Sequence, residues 1–305
     1  MPGISKMKNL LVVTGGAGFV GSNLIQFLLN KTKYQIISLD DYSSGKKRNH
    51  LKNRRVKYIN CHTKDINKVL FKFRKKIKTI FHFGEFARIY QSFIQMNSCI
   101  QSNTIGTNAV FDFCLKNKIK LVYSATSASL GNKGKDKDLS PYAFTKAKNL
   151  EFLENLKKWF KFKYEVIFFY NIYGPNQISR GSMATVIGIF ENCFLKKKPL
   201  PVVKPGTQSR RFTHIDDTIN VCYIAWKKNN CKYYSISNKK SYSILQVANL
   251  FRSKIKYLPP RQGERYASAL STMTFNNRVN RSYGKKDLQK YIENFIKKHN
   301  KSKKK

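Results

Sequence analysis

Acidic residues are scarce in this 305-residue chain: 16 Asp and Glu stand against 59 Lys and Arg, a formal net charge of +43. A surface so short of carboxylates attracts anions, from nucleotides to nucleic acid and anionic membranes. The basic residues recur from Lys6 to Lys305 without collecting in one block. The excess therefore reads as background composition, and no specific nucleic-acid partner is expected. Also missing is any CxxC pair or His-containing metal spacing. Cys61, Cys99, Cys114, Cys193, Cys222 and Cys231 are scattered, which argues against a disulfide scaffold and a metal centre and points to free thiols in a reducing cytoplasm. No apolar run approaches the length that spans a bilayer. The apolar start Leu10-Leu11-Val12-Val13 breaks at once into glycines, as a buried strand does and a signal peptide does not. There is no internal repeat and no low-complexity tract. At 41% hydrophobic and 13% aromatic residues, the composition is that of a folded chain with a sizeable core, in one large or two intimately joined domains.

The first half alternates short apolar runs with helical patterns. Strands are expected at Leu10–Thr14, Gln35–Leu39, Val56–Asn60, Thr79–Phe83, Lys120–Ser124 and Tyr164–Phe169. Helices are expected at Gly18–Leu29, Asn103–Asn117 and Pro141–Phe160. Strand and helix in this alternation predict an α/β, Rossmann-like, doubly wound parallel sheet covered on both faces. Beyond Asn171-Ile172-Tyr173-Gly174-Pro175 the pattern turns irregular, with Pro and Gly punctuation. The expected organisation is a dinucleotide-binding domain over 1–171 to which 213–235 returns. A smaller C-terminal substrate-binding lobe would comprise 172–212 and 236–284, followed by a basic helix and solvated tail over 285–305.

TGGAGFVGSNL, from Thr14, sets Gly15, Gly18 and Gly21 in GxxGxxG spacing after a strand and at the opening of a helix. Small residues let the backbone turn tightly against a pyrophosphate, and Phe19 and Val20 bring free N–H groups at the helix start. The next strand ends in Asp40, at the distance expected of a carboxylate that binds the adenosine ribose, which favours NAD over NADP. The alternative is that Asp40 caps the following turn with Asp41 and Ser43. Farther on, Tyr142 precedes Lys146 by four residues, which places both on one helix face. A phenol titrates near about pH 10, so it needs a cation and a donor nearby to act as a base.

Taken together and in order, these motifs resemble the extended short-chain dehydrogenase/reductase family of nucleotide-sugar epimerases and dehydratases. Thr14–Leu24 is similar to the family's TGGAGFIGS loop. Leu39–Gly45, with Asp40, Asp41, Ser43 and Gly45, is similar to its "xDnxssG" stretch. Phe81-His82-Phe83-Gly84 resembles "FHLA" beside the cofactor, and Asn103–Thr107 resembles "NvxGT". Asn171–Pro175 resembles "NvYGP", and Gly206–Asp217 resembles "GxQxRdFxxVxD". The resemblance implies that Tyr142 exchanges a proton with a sugar hydroxyl, that Lys146 holds the nicotinamide ribose and lowers the tyrosine pKa, and that Thr126 hydrogen-bonds the same sugar oxygen. It implies cofactor contacts at Gly15, Gly18, Phe19, Val20, Gly21, Asp40, Phe83, Gly84 and Asn103. It also implies substrate diphosphate contacts at Asn171, Arg210 and Arg265, and a homodimer built on roughly Gln95–Asn117 and Tyr142–Phe160.

The family's dehydratases carry Asp-Glu directly after the catalytic Thr, where this chain has Ser127-Ala128. Neither residue can move a proton at a carbon or a leaving hydroxyl near neutral pH. The expectation is therefore an NAD-dependent 4-epimerase acting on a UDP-hexose for surface-polysaccharide assembly. The alternatives are a reductase, dehydrogenase or 4,6-dehydratase of the same fold, or a silent NAD-binding protein that uses its charge on RNA. Among the departures, Glu85 replaces the second Ala after "FHL" and is expected to bond Arg88 or a substrate hydroxyl. His62 or Asp65 stands in the adenine region, Arg211 replaces an acid, and the basic loop Lys133–Lys137 is expected to shape the sugar pocket. His82 is expected to be a core histidine.

Overall fold

The computed structural model describes residues 9–128, 137–263 and 279–301. Its frame is a parallel sheet whose first six strands in the chain are β1 (Leu10–Thr14), β2 (Gln35–Asp40), β3 (Val56–Asn60), β4 (Ile77–His82), β5 (Lys120–Thr126) and β6 (Tyr164–Phe169). Strands Tyr233–Ser237 and Val279–Tyr283 complete it. The order is Val279–Tyr283, Tyr233–Ser237, β6, β5, β4, β1, β2, β3, with every pairing parallel.

The run Leu-Leu-Val-Val of β1 has no polar alternation because both faces of the sheet are covered. Leu10 and Val12 join Ile37, Leu39, Ile80, Leu121 and Tyr123 on one face, under the helices Thr107–Lys116 and Pro141–Phe160. Leu11 and Val13 join Ile36, Phe81, Val122 and Ile167 on the other, under helix α1 (Phe19–Lys31) and the helix Ile215–Lys228. The helix Ile215–Lys228 and the strand Tyr233–Ser237 thus pack on and in the same sheet as β1–β6. A third core, with Tyr173, Phe190, Phe212, Tyr242, Phe251, Leu288 and Ile292, builds the smaller lobe.

One boundary differs from the sequence expectation. Val279–Tyr283, within the segment expected in the lobe, pairs with Tyr233–Ser237 at the sheet edge. The basic C-terminal helix expected over 285–305 is present as Leu288–Lys301, and its apolar face is docked: Leu288 and Ile292 are buried in the third core, with Tyr291, Phe295 and Ile296 packed against it. Its lysines mask an apolar stripe at helical spacing. The helix expected over Asn103–Asn117 begins as a π-helical segment, Gln101–Gly106, before the regular Thr107–Lys116 turn sets in. No helix of the described residues is long and apolar enough to cross a membrane. The six cysteines are all free.

Candidate active site

The carboxyl ends of the parallel strands converge on one edge of the sheet, where open α/β folds leave a crevice for ligands. β1 delivers the glycine loop. Gly15 has φ +67°, a left-handed conformation that favours glycine, and its α-carbon lies so close to Gly84 that a Cβ would stand 2.9 Å from the Gly84 backbone. A Cβ on Gly21 would stand 2.1 Å from the Gly15 carbonyl oxygen. The loop is therefore bare, and the first N–H groups of α1, at Phe19, Val20 and Gly21, have no partner within the helix. Asp40 lies beneath it: Oδ2 accepts from the Ala17 amide at 2.9 Å and Oδ1 from the Tyr42 amide at 2.8 Å. Burial pushes its carboxyl up and those two amides oppose the shift. Asp40 thus caps its own turn and also braces the glycine loop, and a carboxylate accepting two bonds retains acceptor capacity for ribose hydroxyls. Asp41 accepts from the Ser43 amide and hydroxyl at 3.0 and 2.7 Å, and Gly45 packs against the Asp40 carboxylate. A bare loop, a helix N-terminus and a buried acid in this order fit a dinucleotide.

β4 delivers His82, Phe83, Gly84 and Glu85. The Phe83 and Gly84 amides donate to Thr14 Oγ1 at 3.1 and 3.0 Å, tying β4 to the glycine loop. His82 is wholly buried and uses both ring nitrogens, with Nδ1 2.7 Å from Thr14 Oγ1 and Nε2 3.0 Å from Thr107 Oγ1. Thr107 donates to Glu85 Oε1 at 3.0 Å, so it accepts from His82, which carries its proton on Nε2. Burial pushes the imidazole down to about 4, and it stays neutral.

β5 ends at Thr126, and the following helix starts at Pro141 because Ser140 accepts from the Ala143 amide at 3.1 Å and proline suits the first turn. Tyr142 therefore sits in the first turn, its amide bonded to Ser92 Oγ at 3.2 Å, and Lys146 lies one turn on. Thr126 accepts from the Ala128 amide at 3.1 Å and hydrogen-bonds Tyr142 with its own hydroxyl. Burial pushes the phenol up to about 12; the Thr126 bond and the Arg88 charge pull against that, and Glu85 and Cys99 reinforce it.

Lys146 has a partner that the sequence alone does not reveal. Its ammonium is paired with Glu85 Oε2, bonded to the Ser124 carbonyl and set 4.4 Å above the Tyr123 ring. Burial pushes its pKa down and Glu85 opposes that shift. Glu85 in turn accepts from Tyr123 at 3.0 Å and from Asn149 at 3.4 Å. Its expected partner Arg88 lies elsewhere, donating to the Ala87 carbonyl at 2.7 Å and to that of Met183, because Glu85 points into the sheet toward Lys146. Tyr123, Thr107 and Asn149 escaped the sequence reading. Asn149 was accessible, since it follows Tyr142 by seven residues on the same helix face.

The other expected site residues spread more widely. Asn103 is buried and uses its amide to clamp Phe86, accepting from its N–H at 2.7 Å and donating to its carbonyl at 3.1 Å. Asn171 is exposed, with φ +31°, and donates to the Arg211 carbonyl at 3.0 Å. Arg210 is buried on the strand Ser209–Arg211, while Arg211 bonds the carbonyls of Asn238 and Lys239 and, among the described residues, no acid. His62 caps a short turn through the Lys64 amide, and Asp65 pairs with Lys68 at 3.0 Å. Arg265 and most of the Lys133–Lys137 loop lie outside the described residues. A basic cavity of about 330 Å³ opens between the glycine loop and the lobe, lined by Phe19, Lys46, Arg48, Asn176 and Arg180 among others.

With this geometry in place, residues 11–237 match the model of the NAD dependent epimerase/dehydratase family. The chain belongs to that family. It is 26% identical over 264 residues to an ADP-L-glycero-D-manno-heptose-6-epimerase of Brachyspira hyodysenteriae, covering 81% of each chain. In fold it is similar to a UDP-glucose 4-epimerase of Thermotoga maritima, with a TM-score of 0.82, 23% identity, and 96% and 99% of the two chains covered. It is equally similar to DesIV, a dTDP-glucose 4,6-dehydratase of Streptomyces venezuelae solved with NAD, at a TM-score of 0.82, 18% identity, and 96% and 97% coverage. The cofactor of this epimerase/dehydratase-type protein is NAD.

Proposed function

We propose that this member of the family is a nucleoside-diphosphate-sugar 4-epimerase acting on a UDP-hexose. The observation that carries the reading is the pair Thr126–Tyr142 with Ser127 and Ala128 beside it. Both of the latter are buried, at 5% and 2% exposure, and neither brings an acid to the place where an elimination needs one. Among the described residues, the acid that follows β4, Glu85, is committed to Lys146, Tyr123, Thr107 and Asn149. Bound NAD supplies reversible hydride transfer. The chain's own residues do the rest. Thr126 orients the sugar oxygen and donates to the phenol, Tyr142 takes up and returns the hydroxyl proton, and Arg210 with Asn171 reaches toward the diphosphate. The exposed apolar side chains Ile94, Met96 and Phe144 on the helices beside the site support assembly as a homodimer. We place the protein in the cytoplasm, feeding polysaccharide synthesis.

The test is incubation of the purified protein with a panel of UDP- and dTDP-sugars, with chromatographic separation of products and assay of copurified NAD. A C4-inverted sugar at unchanged mass is expected. Loss of water from the sugar would replace this reading with a dehydratase, and untouched sugars in the presence of bound NAD would refute it.

A further inference from the structure

A parallel sheet sorts its connections into two ends, and here the two ends differ in charge. The five residues before each of β2, β3, β4, β5, β6 and the strand Tyr233–Ser237 hold fifteen Lys and Arg and no Asp or Glu. The five residues after each of the same strands hold three of each sign. Background composition would load both ends alike. The crevice of the candidate site lies at the carboxyl ends, so the basic end is the opposite pole of the sheet. At that pole the helix Pro141–Phe160 finishes on Trp159 and Phe160, which are 61% and 58% exposed and stand edge to face, ring centroids 6.2 Å apart at 85°. Lysines suit the last turn of a helix because of its dipole, which accounts for Lys157 and Lys158. It does not account for two large rings left in water. Beside them Lys161 and Lys163 lead into β6, Lys116 and Lys118 into the neighbouring β5, and Lys228 and Lys232 into the neighbouring strand Tyr233–Ser237; all six are exposed. Lys157 reaches the Cys231 carbonyl at 3.5 Å, which joins the helix end to the connection before that strand. The acids of these elements are already engaged. Asp112 pairs with Lys116 at 2.9 Å and Glu151 with Lys148 at 2.8 Å, Glu154 accepts from the Tyr233 hydroxyl at 2.7 Å, and wholly buried Glu165 accepts from the Cys231 and Lys232 amides beside Lys120.

We propose that this pole is a docking surface for an anionic lipid bilayer, with Trp159 and Phe160 entering the headgroup layer and the surrounding lysines meeting its phosphates. The chemistry of the patch selects this occupant. Aromatic rings ringed by lysine partition into a bilayer interface, where the lysine stems lie along apolar surface and the ammonium groups meet anionic headgroups. Rings at 85° offer no parallel platform on which successive bases of a single strand could stack. A second copy would set the same lysines against these, like charge facing like. The patch is also separate from the apolar side chains that support a homodimer. Phe144 lies fifteen residues earlier on the helix, about 22 Å away, with Lys148, Glu151 and Asn155 between. The contact is peripheral, since no helix of the described residues is long and apolar enough to cross the bilayer. With the rings in the headgroups the crevice faces away from the lipid, and the inference holds whichever sugar reaction takes place there.

The test is flotation of the purified full chain with vesicles of phosphatidylcholine alone and of phosphatidylcholine mixed with phosphatidylglycerol, together with tryptophan emission. The other tryptophan, Trp226, is buried, so a blue shift reports Trp159. Binding and a blue shift are expected with the anionic vesicles and not with phosphatidylcholine alone. Trp159→Ser/Phe160→Ser keeps the net charge and should weaken binding about tenfold or more. Lys161→Glu/Lys163→Glu should do the same, while Lys239→Glu/Lys240→Glu, an equal charge change at the opposite end, should weaken it less than about threefold. All of these positions are exposed, so circular dichroism and urea unfolding should match the parent. Equal losses from the two charge reversals, or full binding by the serine variant, would show diffuse attraction to a cationic surface and overturn the proposal. No binding, or equal binding to both vesicle types, would overturn it as well. A parent dimer that the serine variant splits would give the patch to a second copy, and polyuridylate binding that this variant abolishes while vesicle binding persists would give it to nucleic acid; either result overturns the proposal.

Discussion

Buried neutral His82 ties stability to pH in a way that can be isolated. Its folded pKa stands near about 4 against an ordinary value of 6.5, with burial the leading cause. Folding thus depresses the pKa of a base. The unfolded chain takes up a proton as pH falls through about 6.5, and the native state does so only through about 4, so stability present at neutral pH is lost across that window. At about pH 4.5 the two values give a loss of about 2.5 kcal/mol from this residue alone. His82→Gln retains an acceptor for Thr14 and a donor for Thr107 but has no proton to gain. Urea unfolding followed by circular dichroism, for parent and variant at about pH 7 and about pH 4.5, cancels every other titrating group. The parent should lose about 2–3 kcal/mol more than the variant between the two conditions. Equal losses would show that His82 titrates in the folded protein as it does in the unfolded one, and the hydrogen-bond assignment through Thr14 and Thr107 would fall with it.

Two further outcomes follow from packing. Gly21→Ala drives a methyl against the Gly15 backbone, where nothing flexible can yield, so it should cost more than about 1–3 kcal/mol and abolish copurification of NAD. Gly181→Ala, at φ +82° with open space around the new carbon, should cost only about 1–2 kcal/mol and keep the cofactor. Equal NAD content in the two proteins would contradict the cradle described for the glycine loop. Ile292→Ala should cost about 2–5 kcal/mol in urea unfolding, because the residue is wholly buried in the lobe core. The exposed neighbour Lys290→Ala should stay within about 0.5 kcal/mol, and a matching small effect at Ile292 would mean that the terminal helix is not docked.

How legible a residue was in the sequence depended on whether its role is written locally. β1 and β6 were found at their observed ends, since a strand buried on both faces is a largely apolar run bounded by turn residues, and β3, a half-buried edge strand, through its alternation of apolar and polar residues. The glycine loop was equally plain, because close backbone approach leaves glycine as the residue that fits. The surface that the C-terminal helix docks on was not legible, for the opposite reason. Its lysines are local and conspicuous, while the partners of Leu288 and Ile292 are Phe190 and Phe251, some hundred and some forty positions away in the chain. The pairing of Glu85 with Lys146 was hidden in the same way. The sequence placed both near Tyr142 but could not say which side chain Glu85 would face, since Arg88 is three residues off and Lys146 sixty-one. Long-range pairing decides that choice. β4 and β5 are neighbours in register, Phe81 with Val122 and His82 with Tyr123, and this places the end of β4 over the ring on which Lys146 rests. A carboxylate leaving β4 there meets an ammonium already held by Tyr123 and Ser124, and closing the pair offsets the desolvation of both ions better than turning back to a guanidinium bound to carbonyls. The same register that builds the sheet therefore brings Glu85 and Lys146, sixty-one residues apart, into one buried pair.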